Sequence, residues 1–430
     1  MRRFLPFALL LSLLTAAPAL AQLEIRGPGQ QAISLALPTF LSGPGQPPPA
    51  LAAEFNETLA GLLDLSGLFS LVDPASFLSD ARKPVLTSAG IDFDQWRLLG
   101  AEALVKGTIT SQNGQVVVEA RLFDVFSRRL LTGRRYIGSP ADVPRMAHRF
   151  ADQILKSLTG QEGPFNSRIA FIDNRTGKKE LYMMDVDGRN VVRLTNHNSI
   201  VLNPDFSPVG KELIFTSYRA GNPDLYRKEI YAGKEVRLSS RNGLNIAGRY
   251  RPDGREVALT LSAEGNPDIY LLGTDGSQRK RLTDHWGIDV DPSWSPAGDR
   301  VAFVSDRQGN PQIFILDVWN GAAKRLPTSG KYSATPAWSP KGDRIAYSRL
   351  EKGRFDIMTI NPDGTDERQL TFGAGNKEHP RWSPDGRFLV YSSNQDGKNA
   401  IYIMRADGTG ARRISPSGGA CNHPAWSGLW

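Results

Sequence analysis

The chain has 430 residues, a length that calls for two domains rather than one ordinary core. Its formal charge is +8, but the 52 basic residues are scattered among 44 acidic ones without a dense run or an interleaved aromatic platform, so the sequence gives no basis for nucleic-acid binding. Cys421 is the single cysteine, which excludes an intramolecular disulfide and a thiolate metal cluster.

The first residues have the layout of a cleavable export signal. Arg2 and Arg3 precede an apolar run from Phe4 to Leu14, and small residues end at Ala19-Leu20-Ala21, so the signal spans 1–21 and the mature chain begins at Gln22. The run is broken by Pro6 and Ser12, and no later segment reaches about 18 consecutive apolar residues, so no membrane span is predicted.

Residues 22–160 read as a small α/β domain with a mixed sheet. Leu23–Arg26 is an extended start. Ile33–Leu37 reads as an alternating strand ended by Pro38, and the Gly/Pro-rich stretch 43–49 as a loop. Leu51, Phe55, Leu59, Leu62 and Leu63 then share one helical face. A second helix is read from Phe93 to Gly100, and strands cover 103–110, 116–126 and 130–137, the first two joined at Asn113-Gly114. A last helix over 143–158 buries Met146, Phe150, Ile154 and Leu158, and residues 161–166 form a linker.

From 167 to 430 an internal repeat decides the fold. Pro204, Pro292, Pro336 and Pro380 each open a Pro-x-aromatic-Ser-Pro string, a degenerate copy lies at Gly248–Pro252 and a truncated one at Pro424–Ser427; successive copies are 44 residues apart with no insertion. Three more series keep the same step, among them Ile169-Ala170-Phe171, Leu181-Tyr182 and Arg193-Leu194-Thr195 with their counterparts. Four short strands per repeat, with Asp-Gly turns between them, predict a six-bladed β-propeller. The markers of WD40 repeats are missing. The last Pro-x-aromatic strand has no following partner and the first Ile-Ala-Phe strand no preceding one, so 424–426 are predicted to complete the blade built from 169–195. The large rings at 206, 250, 294, 338, 382 and 426 are read as packing between blades.

The sequence points away from catalysis and from bound cofactors. It holds no Gly-x-Ser-x-Gly elbow, its five histidines never fall at His-x-x-x-His spacing, and Asp185–Gly188 lacks the ligands that would complete a calcium loop, so no metal is predicted. The loops entering the innermost strands crowd one mouth of the channel and differ from repeat to repeat, as recognition of an asymmetric partner requires. They supply the candidate site: Asn203, Leu244, Ala247, Val290, Asp291, Thr335, His379 and His423.

The export signal, the α/β domain containing Trp96–Gly107 within the stretch from Phe93, and the six Pro-x-aromatic blades together resemble the TolB family of the Tol-Pal system, across the whole mature chain. The resemblance implies a monomeric, non-enzymatic periplasmic adaptor that supports outer-membrane integrity and constriction at cell division. It implies docking of the lipoprotein Pal at the propeller mouth, where register places Leu244, Ala247 and Val290, and contact with TolA through the N-terminal segment, here Gln22, Leu23, Glu24, Ile25 and Arg26. A periplasmic propeller that takes a small ligand or peptide without Tol partners remains the alternative.

Overall fold

A computed structural model describes residues 32–42 and 49–430. The export signal and the segment Gln22–Arg26 lie outside the described residues, as does most of the predicted Gly/Pro loop.

The leading domain is built on one mixed sheet. Its elements are β1 (Ile33–Ala36), β2 (Leu41–Ser42), α1 (Pro49–Ser66), β3 (Phe69–Leu71), α2 (Phe93–Leu98), β4 (Ala103–Gln112), β5 (Gln115–Asp124), β6 (Arg129–Gly138) and α3 (Val143–Thr159). The strand order is β3-β1-β4-β5-β6, with β2 pairing alongside β4; β1 runs parallel to β3 and β4, and β4, β5 and β6 are antiparallel.

The sequence pattern of β1 suggests one wet face, but both faces are covered. Leu35 joins the core under α1 and α3, whereas Ala36 packs with Phe93, Trp96 and Phe123 on the other side. A strand buried on both faces loses its alternation. Gly107 is required where β4 passes Phe40, because a Cβ there would lie 2.0 Å from the Phe40 ring. At the hairpin tip Asn113 and Gly114 both take positive φ, 51° and 77°, as a two-residue type I′ turn demands.

The six blades follow. Five are sheets of four consecutive strands, with innermost strands Val201–Phe206 (blade I), Asn245–Tyr250 (II), Asp289–Trp294 (III), Ser333–Trp338 (IV) and Lys377–Trp382 (V). Blade VI is composite: Cys421–Trp426 is its innermost strand and pairs antiparallel with Arg168–Asp173, setting Trp426 opposite Ile169 and Ala425 opposite Ala170. The predicted closure of the ring is therefore the one observed, over a strand three residues longer.

The large rings pack between neighbouring blades. Trp294 Nε1 donates to the Arg249 carbonyl at 3.1 Å and Trp382 Nε1 to the Ala337 carbonyl at 2.9 Å, each reaching one blade back. Side chains after the repeat prolines make the reciprocal contact: Asp205 accepts from the backbone N–H of Tyr250, and Ser293 from that of Trp338. These bonds satisfy backbone groups at the crowded centre of the ring.

The two parts share one hydrophobic core, in which Leu62, Phe150 and Phe165 meet Phe388, Ile403 and Ile414. Polar ties rim it. Arg405 Nε donates to the Leu65 carbonyl at 3.0 Å, Arg387 to Thr159 Oγ1 at 3.1 Å, and His148 Nε2 lies 3.0 Å from Asp187 Oδ2. Arg387 and Asp187 lie in turns, and Arg405 ends the third strand of blade V, all at the end of the blades where the innermost strands finish, so the leading domain sits opposite the mouth where those strands begin.

Candidate functional site at the propeller mouth

Every innermost strand enters the ring through the same local distortion. Its ladder slips between the second residue before the repeat proline (glycine in blade II) and the first after it, and the residue immediately before that position takes a left-handed conformation. These residues are Asn203, Ala247, Asp291, Thr335, His379 and His423, with φ from 48° to 57°. Asparagine and aspartate tolerate that region, while a β-branched threonine pays for it. Each bulge turns one side chain towards the axis and re-aims the loop before it. The predicted mouth residues at these positions thus form one ring, although Ala247 is only 1% exposed and offers a partner no side-chain surface.

One step outward the strands carry Leu202, Ile246, Val290, Ala334, Glu378 and Asn422, all half-buried. Two residues further out stand Ile200, Leu244, Ile288, Tyr332, Asn376 and Ala420. Ile200 and Ile288 are exposed, and Trp286, two residues before Ile288, leaves 74% of its surface open. The mouth is consequently divided. At these two levels blades I to IV carry a crescent of apolar side chains that includes the predicted Leu244 and Val290, and blades V and VI present amide, carboxylate and imidazole groups.

His379 and His423 meet on that polar side with ring centroids 4.1 Å apart. Burial, reinforced by the positive charge of Arg381 and Arg249, pushes His379 down to about 3. Burial, then His379 and the cations Lys179, Arg381 and Arg249, lowers His423 as well. Both rings are neutral at physiological pH, so the pair can donate and accept hydrogen bonds but adds no charge. His379 Nδ1 lies 3.2 Å from Ser392 Oγ, whereas His423 Nδ1 is buried without a partner. Among the described residues no group of three or more His, Cys, Asp or Glu side chains is placed to hold a metal ion.

Ile200 and Ile288 lie in the variable mouth loops that the sequence points to but are not among the candidate residues, and Trp286 lies just outside those loops. Trp286 carried a signal: Asn198, Asn242, Gly330, Ala374 and Gly418 occupy the same register in the other repeats, and an indole among them departs from the loop pattern.

The family models decide the wider relationship. Residues 155–430 match the TolB beta propeller domain and residues 21–131 the TolB amino-terminal domain. The chain belongs to the TolB family. Over 212 residues it is 66% identical to the Tol-Pal system protein TolB of Syntrophotalea carbinolica, a stretch covering 49% of either chain. Over 189 residues it is 45% identical to the TolB of Geobacter sulfurreducens, covering 44% of this chain and 43% of that one. The chain thus spans about half the length of these curated relatives in alignment. The crystal structure of TolB from Acinetobacter baumannii superposes more fully, with a TM-score of 0.80 and 26% identity over 92% of this chain and 97% of that one.

Proposed function

We propose that this TolB-family protein is a non-enzymatic, monomeric periplasmic adaptor of the Tol-Pal system. It binds a Pal-like lipoprotein at the propeller mouth and a TolA-like inner-membrane protein through residues 22–26, and so supports outer-membrane integrity and constriction during division. The division of the mouth carries the reading. An apolar crescent over four blades beside a polar sector over two has the anatomy of a protein-docking surface, with an apolar centre and hydrogen-bonding groups at its side. Leu244 and Val290 belong to the crescent; Asp291, His379 and His423 line the channel beneath it, with Asn203 and Thr335.

The test is calorimetric titration of residues 22–430 with the soluble domain of the Pal-like lipoprotein from the same cell. Saturable binding that Leu244→Asp and Val290→Arg together abolish supports the reading. Absence of binding by the unaltered protein overturns it.

A further inference from the structure

Beyond the mouth, deeper in the channel, the residue after each repeat proline (glycine in blade II) forms a second ring: Asp205, Arg249, Ser293, Ala337, Arg381 and Ala425. Arg249 and Arg381 are three repeats apart, which in a ring of six blades sets them on opposite walls. They border a cavity of about 370 Å³ that lies at the Ser-Pro ends of the innermost strands, away from the mouth, and is walled by the indoles of Trp294, Trp338 and Trp382.

Neither guanidinium is hydrogen-bonded to a carboxylate, although Asp205 and Asp291 are near enough to act on both by charge. Among the described residues neither forms an ion pair, and their bonds go to main-chain carbonyls. Arg249 donates to Gly248 at 2.8 Å and at longer range to Asn203 and Pro204, and Arg381 donates to Pro380 at 2.9 Å. Arg381 Nε is buried with no acceptor. Burial and the facing Arg249 push Arg381 down to about 9 against the opposing pull of Asp205 and Asp291. Asp205 shares the ring but its Oδ2 is engaged by the Tyr250 N–H, and Asp291 stands one ring nearer the mouth. A buried donor without an acceptor is costly, and a water-excluding cleft strengthens any anion that supplies one.

We propose that Arg249 and Arg381 clamp a small monoanionic carboxylate in the channel floor. A carboxylate has two oxygens pointing apart, one for each wall, and guanidinium forks are suited to it. Asp205 and Asp291 both act on the two guanidiniums and leave the channel with no large positive excess, which favours a monoanion over a divalent oxyanion. The indole walls accommodate the apolar part of an organic acid. The inference rests on the channel alone and stands apart from the Tol-Pal reading.

The experiment is calorimetric titration of the whole protein with sodium acetate at fixed ionic strength and pH 7, with sodium sulfate as comparison. One saturable site is expected, with acetate bound more tightly than sulfate. Arg249→Gln and Arg381→Gln should each weaken acetate by about tenfold or more, and Arg279→Gln, on the exposed outermost strand of blade II, should leave it unchanged. Should the arginine variants fail to fold, Ser293→Asp keeps both guanidiniums and can accept the Trp338 N–H as Asp205 accepts that of Tyr250, yet adds a carboxylate to the ring and should abolish binding. No saturable heat, binding undiminished in the channel variants, or tighter sulfate than acetate overturns the proposal.

Discussion

Trp426 Nε1 donates a 2.7 Å hydrogen bond to Ser167 Oγ, tying the last strand of the ring to the residue that opens the first strand after the linker. The seam beside it depends on backbone pairing between Cys421–Trp426 and Arg168–Asp173, and on Arg168 N–H donating to Ser427 Oγ at 2.8 Å. Truncating the half-buried indole removes packing against Phe388 and the Ser167 bond together. Trp426→Ala should cost about 2–3 kcal/mol, lowering the melting temperature by roughly 4–12 °C for a domain of this size. Deleting everything after Ser417 should remove the melting transition of blade VI; a truncated protein with the parent's calorimetric trace would contradict that.

Cys421 gives a chemical reading of the same seam. Its thiol is buried, and burial together with the carboxylate of Asp173 pushes it up to about 12, so little thiolate forms near neutrality. The folded protein should react slowly with a thiol reagent at pH 8, at a rate limited by opening of the seam. Trp426→Ala should raise that rate by at least about tenfold, and equal rates in parent and variant would detach Cys421 from the seam.

In the leading domain the decisive polar contact is Lys106 with Asp80, 2.9 Å apart and 3% and 0% exposed. Trp96 Nε1 also donates to Asp80 at 2.9 Å. Burial raises the Asp80 carboxyl, but the bonds from Lys106, Trp96 and the Asp92 N–H outweigh it, and its pKa lies below the ordinary value. A depressed carboxylate contributes stability above its unfolded pKa, near 4, and loses it as pH falls through the folded value. Lys106→Met should cost about 3–5 kcal/mol by stranding the Asp80 charge. The loss should shrink on acidification, and urea titrations from pH 7 downwards would measure it.

What could be read in advance follows from where the information sits. Strict 44-residue spacing carries the blade count, and the unpaired first and last strands carry the closure of the ring, because both are properties of one linear pattern. Lys106 is different. It lies in a strand whose residues 103–107 are all buried, and its partner Asp80 comes from a turn 26 residues earlier that no periodicity marks. β3 has only three residues and the stretch 74–90 is a series of short 3-10 turns, so neither carries a period to detect. At the mouth, the ring of left-handed residues is set by the bulge in each strand, which backbone pairing reveals and composition does not. The facing of Arg249 and Arg381 emerges only when three repeats are converted into half a turn.

At the junction of the two parts, Asp152 on α3 accepts the Phe165 N–H at 2.9 Å and the Asn166 N–H at 2.8 Å. Two such bonds favour the charged carboxylate, but burial outweighs them and raises the group to about 7. The sign is opposite to that of Asp80. A raised acid contributes stability that is full below its unfolded pKa, near 4, and is lost as pH rises to the folded value. This contribution should therefore fade between about pH 4 and pH 7. Asp152→Asn should flatten the dependence over that window while giving up one of the two N–H bonds, a loss of about 1 kcal/mol. Denaturant midpoints for parent and variant at pH 4.5 and 7.5 check it, and an equal difference between the two pH values in both proteins would refute the assignment.

Trp286 provides the sharpest test of the mouth because it stands clear of the fold. Its indole is 74% exposed, and its recorded ring contact is with His285, 5.1 Å away, so Trp286→Ala should change stability by no more than about 0.5 kcal/mol. Exposed aromatics on docking surfaces are frequent anchors, and loss of one that becomes buried costs about 2 kcal/mol or more, equivalent to roughly thirtyfold in affinity. Calorimetry with the Pal-like domain should show that loss. Trp319, 70% exposed on a turn at the opposite end of blade III, serves as the control: Trp319→Ala should bind like the parent. Equal affinities for all three proteins would move the partner off the apolar crescent, while weakening by Trp319→Ala alone would place it on the face that carries the leading domain.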